Sequence, residues 1–184
     1  MTTPERDRPF VLQPVNSPLQ RETARALIAE YLQWVGGVAR DEYGLSFDVD
    51  AMLRSDCDEA SPFAPPHGRL YLVQAGDAAI GVGGLKRLST DVGELQRMYV
   101  KPQARGLGAG RALLQRLLDD ARAMGLRTLR LESLKALAAA HALYRSAGFA
   151  EIDPYADNSM RAYQRGDALA AYRASALFME LALR

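Results

Sequence analysis

Met98-Tyr99-Val100-Lys101-Pro102-Gln103-Ala104-Arg105-Gly106-Leu107-Gly108-Ala109-Gly110 joins a strand pattern to a helix pattern, and the reading of this stretch decides the fold. Upstream, residues 92–100 alternate as a strand. Downstream, Leu113, Leu114, Leu117, Leu118 and Ala121 recur at helical spacing over Arg111 to Met124, with Gly125 as the stop. Glycines at such a junction leave successive backbone N–H groups open at the positive end of a helix, which suits a phosphate or pyrophosphate. The loop lacks the Gly-Lys-Ser/Thr ending of a P-loop. Its Gly106-x-Gly108-x-Gly110 spacing is also not the Gly-x-Gly-x-x-Gly of dinucleotide folds. Taken alone, the loop supports either an anion site or a simple turn.

The rest of the chain is legible outward from this loop. Phe10 to Val15 reads as a strand. Ser17-Pro18 then caps an amphipathic helix carrying Ala24, Leu27, Ile28, Tyr31, Leu32 and Val35, which Gly36-Gly37 is expected to end. Phe47 to Arg54 reads as a short helix, and the proline-rich residues 61–68 as a loop. Leu70 to Ala75 and Ala78 to Leu88 form a hairpin about Gly76-Asp77. Thr128 to Ser133 is a strand, Leu137 to Ala147 a helix stopped at Gly148, and Phe149 to Ile152 and Leu177 to Leu183 are strands. The order is β-α-α-β-β-β-α-β-α-β-β. It predicts an α/β (α+β) fold with a mixed, mostly antiparallel sheet of about seven strands and helices on both faces. Residues 155–175 form a longer, variable connection with a helix expected around Asp167 to Arg173.

Size and composition bound the function. The 184 residues suit one domain, taken here as residues 10–184 behind a polar, flexible segment 1–9. A formal net charge of +1 excludes a global field for nucleic acid or an anionic membrane, so any anion site is local. There is no long apolar run and no apolar leader, which fits a cytoplasmic protein. Three lysines against twenty arginines suggest a GC-rich bacterial gene. Cys57, the single cysteine, lies among Asp56, Asp58 and Glu59, which raise a thiol pKa and argue against a nucleophile. His67 and His141 lack the neighbours that a metal centre needs.

With the second stretch Ala142-Leu143-Tyr144-Arg145-Ser146-Ala147-Gly148-Phe149 following in order, the glycine loop resembles the acyl-CoA motif of the GNAT acetyltransferase superfamily. Gln103, Gly106 and Gly108 match its Gln/Arg-x-x-Gly-x-Gly/Ala pattern. The resemblance implies an acetyl-CoA-dependent N-acetyltransferase. Backbone groups of Met98, Tyr99 and Val100 would pair with the pantetheine and acetyl end, and Arg105, Gly106, Leu107, Gly108, Ala109 and Gly110 would cradle the pyrophosphate. It also implies that the strand holding Met98 to Val100 splays from the one holding Leu131 to Ser133 at the cofactor cleft.

Amide formation from a thioester needs a neutral amine and a proton for the departing thiolate. The resemblance points to Tyr144 as proton donor, the alternative being a tyrosine that packs and positions the cofactor. Glu132 resembles the strand glutamate of the protein N-terminal acetyltransferases, and Glu94 the acidic position of many small-molecule enzymes, where it acts through water. Either is a candidate base, or a structural partner of Arg97 or Arg130. Leu137 stands where the superfamily often has an asparagine contacting the cofactor, so that contact is absent.

The acceptor is expected to be a primary amine of a small molecule. A protein or peptide N-terminus, and a non-catalytic acyl-CoA-binding module, are the alternatives. Asp56, Asp58 and Glu59, and Glu30 with Tyr31, are candidates to attract a cationic amine, against the reading of a solvated acidic loop. Tyr155, Arg161, Tyr163, Arg165 and Tyr172 would cover the acceptor mouth or form a homodimer interface.

Overall fold

The computed structural model describes residues 9–58, 61–164 and 166–183. The flexible segment expected over residues 1–9 lies outside them except for Pro9, as does Glu59. Along the chain run β1 (Val11–Pro14), α1 (Pro18–Tyr43), α2 (Val49–Cys57), β2 (Gly68–Ala75), β3 (Ala78–Arg87), β4 (Val92–Val100), α3 (Ala109–Ala123), β5 (Thr128–Leu134), α4 (Ala138–Ser146), β6 (Ala150–Ile152), α5 (Gly166–Ser175) and β7 (Ala176–Ala182). Short 3-10 turns lie at Pro102–Ala104 and Ser159–Ala162. The expected helix in the long connection is present as α5. No helix among the described residues is long and apolar enough to cross a membrane.

Ser17 caps α1 in a capping box: its hydroxyl accepts from Gln20 N–H, and the Gln20 side chain accepts from Ser17 N–H. The helix does not stop at Gly36-Gly37. It continues to Gly44, whose φ of 65° and N–H bonds to the Ala39 and Arg40 carbonyls close it. Each interior glycine costs a helix ~1 kcal/mol against alanine. Packing offsets this: Val35 and Ala39, on either side of the pair, are buried against the sheet, so the apolar stripe carries across it.

The seven strands lie in the order β1-β2-β3-β4-β5-β7-β6, and every neighbour pair is antiparallel except β4 with β5. α3 and α4 cover one face, where Leu113, Leu117 and Tyr144 meet Val73, Leu85, Leu95 and Leu131. The α1, α2 and α5 face buries Leu27, Leu32 and Met52 with Leu72, Val82, Tyr99 and Phe178.

Two irregularities in β4 shape the site. The first is a bulge: Gly84 faces Gln96 and Val82 faces Tyr99, so Gly83 opposes both Arg97 and Met98. Arg97 takes φ 56°, unusual for a residue with a side chain. Gly83 is held to glycine because a Cβ would come within 2.7 Å of Leu113 and 2.8 Å of the Met98 sulfur. The extra residue inverts the alternation, so Leu95 packs under α3 while Tyr99, four residues on, points to α1. The second irregularity is that β4 and β5 pair only at Val92 with Thr128, Gly93 with Leu129 and Glu94 with Arg130. Beyond these pairs the strands part.

Candidate active site

The parting of β4 from β5 opens a cleft of about 660 Å³. Met98, Tyr99 and Val100 line it from β4. Arg105, Gly106, Gly108, Ala109 and Gly110 line it from the glycine loop, Tyr144 from α4, and Tyr31 and Trp34 from α1. Sequence-predicted residues thus converge. Of the residues expected to bind the cofactor, Leu107 alone is not among the lining residues, and it is 51% exposed.

The loop has the local geometry of an anion cradle. Gly106 and Gly108 each take φ 83°, and a Cβ built on either would meet nothing within 4 Å. The demand for glycine here is therefore conformational, and the space beside it is open. Gly108 precedes α3 with no side-chain cap, so the first N–H groups of this fifteen-residue helix face the cleft without a side-chain acceptor. These features fit a pyrophosphate. Leu137 precedes α4 and lines the same cleft, with no side-chain cap bond.

Arg105 does not point at open space. Its Nε donates to the Val100 carbonyl at 3.2 Å, and its guanidinium carbon stands 5.4 Å from the Trp34 ring centroid. Trp34, with Tyr31 and Tyr99, forms a cluster of three rings whose centroids are 5.7–6.3 Å apart. Tyr99 OH donates to Glu30 at 2.7 Å, and Lys101 Nζ lies 3.4 Å from the same carboxylate. Trp34 is not among the sequence-predicted residues. Its signal was an indole just outside the apolar stripe, one turn after Tyr31.

Tyr144 is buried against Phe149. Burial, and then Tyr31 nearby, raise its hydroxyl well above the ordinary phenol range, so the group keeps its proton through neutral pH.

The two candidate carboxylates lie on the opposite face of the sheet from Tyr144, because Leu95 and Leu131 beside them point to the α3 and α4 side. Neither lines the cleft. Glu94 is fully buried, with partners on both oxygens. It accepts from Tyr155 OH at 2.7 Å, Gln96 Nε2 at 3.0 Å and Ser159 Oγ, with Lys86 Nζ at 3.4 Å. Glu132 accepts one bond at Oε1, from Met160 N–H at 3.2 Å, and its buried Oε2 has no partner among the described residues. Burial first, and then the Glu94 charge, push the Glu132 carboxyl up to about 8.

Several expected pairings are replaced by others. Glu94 pairs with neither Arg97 nor Arg130: its cation is Lys86, while Arg130 Nε holds Glu180 at 2.8 Å. Arg97 Nε donates instead to Asp56 Oδ2 at 2.5 Å. Asp56 is therefore not part of a solvated acidic loop but a buried residue in the last turn of α2, 2% exposed. Asp58 stays exposed near Arg25 at 3.8 Å. Burial and Asp56 push Cys57 up to about 11, which leaves it a thiol.

The long connection also differs from expectation. Tyr155 and Tyr172 are buried, packed edge-on to Phe178 and Phe47, so neither is free to cover a mouth. Through Tyr155, Ser159 and Met160 the segment instead grips both strand carboxylates. The Arg161 side chain and Arg165 lie outside the described residues.

Comparison with known proteins identifies the family and the fold. The profile of the Acetyltransferase (GNAT) family matches residues 24–149. The chain is 33% identical over 141 residues to a protein named IAA acetyltransferase of Azospirillum brasilense, covering 76% of this chain and 84% of that one. It is 33% identical over 117 residues to a protein named uncharacterized N-acetyltransferase YjgM of Escherichia coli, covering 61% and 70%. Among solved structures, an acetyltransferase from Streptococcus agalactiae superposes with a TM-score of 0.70 at 16% identity, covering 95% of this chain and 98% of that chain. The PaiA N-acetyltransferase of Thermoplasma acidophilum, in complex with coenzyme A, does so with 0.67 at 18%, covering 94% and 98%.

Proposed function

Because this chain belongs to the GNAT acetyltransferase family and is an acyltransferase, we propose that it transfers acetyl directly from acetyl-CoA to a primary amine of a small molecule. The observation that carries this reading is the cleft itself. A strand pair that opens after three residue pairs runs into a glycine cradle on one side and meets a protonated phenol on the other.

Each residue then has a role that its surroundings support. The open N–H groups of Gly106 to Gly110 hold the pyrophosphate, and the β4 backbone over Met98 to Val100, left unpaired by β5, takes the pantetheine as an added strand. Bound there, acetyl-CoA supplies the thioester carbonyl. Tyr144 donates its proton to the departing sulfur from the α4 side. Glu132 takes the proton of the incoming amine, through water, from the opposite face; its free oxygen and raised pKa suit a base that comes into play as pH rises toward about 8. Glu94, whose two oxygens already hold Tyr155, Gln96, Ser159 and Lys86, serves as a positioning residue.

The connection at 155–164, which buries Tyr155, Asn158, Met160 and Gln164, supports a small acceptor over a peptide, since Glu132 is walled by Met160. We place the enzyme in the cytoplasm. Thiol release from acetyl-CoA, measured across a panel of small amines and a panel of N-terminal peptides, tests the reading. Turnover with small amines is expected. Turnover confined to peptides favours the N-terminal acceptor, and CoA binding with no thiol release favours a binding module.

A further inference from the structure

Trp34 is 40% exposed, yet it stands at the cleft between two other aromatic rings and carries a cation on its face. That cation is Arg105, the residue immediately before the glycine cradle. Its hold on the cleft wall consists of one bond to the neutral Val100 carbonyl and a contact with a partly exposed indole. A phosphate on Gly106 to Gly110 would offer the same guanidinium charge-assisted, bidentate bonds, which are stronger than either.

Removal of Arg105 leaves an aromatic wall of Trp34, Tyr31 and Tyr99. At its edge Glu30 already offsets the charge of Lys101. An indole face of this kind attracts cations through its quadrupole. The chain's own guanidinium shows that the wall accepts one.

Resting on the acetyltransferase reading above, we propose that the Trp34 face is the subsite for a second cationic group of the acceptor. Arg105 fills it until the donor's phosphates draw Arg105 away. The acceptor class is then a diamine or a related aminoalkyl cation, with one amine acetylated and the other held on Trp34. The donor binds first.

Trp34 is the single tryptophan of the chain, so its emission reports on this face alone. Coenzyme A should shift that emission, and pantetheine, which lacks the phosphates, should not. With coenzyme A bound, 1,4-diaminobutane should change the emission further, and butylamine at equal concentration should not. In Arg105→Ala the diamine response should appear without coenzyme A. In turnover, Trp34→Ala should reduce the preference for diamine over monoamine, in kcat/KM, by roughly tenfold, acting through KM.

Equal emission responses to the two amines, or an Arg105→Ala response that still requires coenzyme A, would overturn the subsite. Such a result alongside amine turnover removes only the subsite. A diamine-specific response without acetylation of any amine leaves a cation site on Trp34 but removes the acetyltransferase reading, and with it the site's role in holding an acceptor.

Discussion

Glu94 and Glu132 sit on adjacent strands and face the same side of the sheet, yet they are chemically unlike. Both oxygens of the first hold partners, Tyr155 on one and Gln96, Ser159 and Lys86 on the other, while one oxygen of the second is buried with no donor among the described residues. A base must be deprotonated to act, so the acetylation rate should rise with pH and level off above about 8, following Glu132. Glu132→Gln should lower kcat ~10²-fold and flatten that limb, read from pH–rate profiles of kcat. An unchanged limb in the variant would assign it to another group. Tyr144→Phe should leave coenzyme A affinity within about twofold and slow thiol release ~10²-fold, checked by calorimetry and single-turnover kinetics. At this scale the sequence separated little. Both glutamates lie on strands of similar pattern, and what divides them is the contact of residues 155–160, more than twenty positions away in the chain.

The elements were more legible, and their departures have local causes. Helix and strand periodicity placed the core of every element, because an apolar stripe marks the buried face whatever packs on it. Gly36-Gly37 misled because a glycine pair stops a helix only when nothing beyond it is buried, and Ala39 is. The bulge in β4 left no mark either: it puts a lone arginine at φ 56°, and that side chain is tied to Asp56, forty-one residues before it. Removing that arginine strands a carboxylate that is 2% exposed. Arg97→Ala should therefore destabilise the protein by about 3–5 kcal/mol. Replacing both residues by apolar ones of similar volume should recover most of the loss. Urea midpoints of the two variants check this, and equal midpoints would show that the pair is not coupled.

For the molecule as a whole, fold class and strand count followed from the order of elements, while the identity of the neighbours in the sheet needed the structure. Stability should carry the signature of Glu132. Its folded pKa is raised above the usual 4.5 to about 8, so between those values the native state binds more protons than the unfolded chain. The contribution is then largest below pH 4.5 and declines as pH climbs to about 8. Denaturation at pH 5 and pH 8 should show wild type losing ground to Glu132→Gln across that window. A parallel response in the two proteins would place the proton elsewhere.

The three residue pairs joining β4 to β5 have a mechanical consequence. The sheet is two blades, β1 to β4 and β5 to β7, tacked at one corner, with an unzipped seam running from Glu94 toward Val100. A ligand that laces this seam acts as mortar as well as reactant, and the loaded protein should be the stiffer body. Amide exchange at residues 95–100 should slow when coenzyme A is added, and the melting point should rise with its concentration.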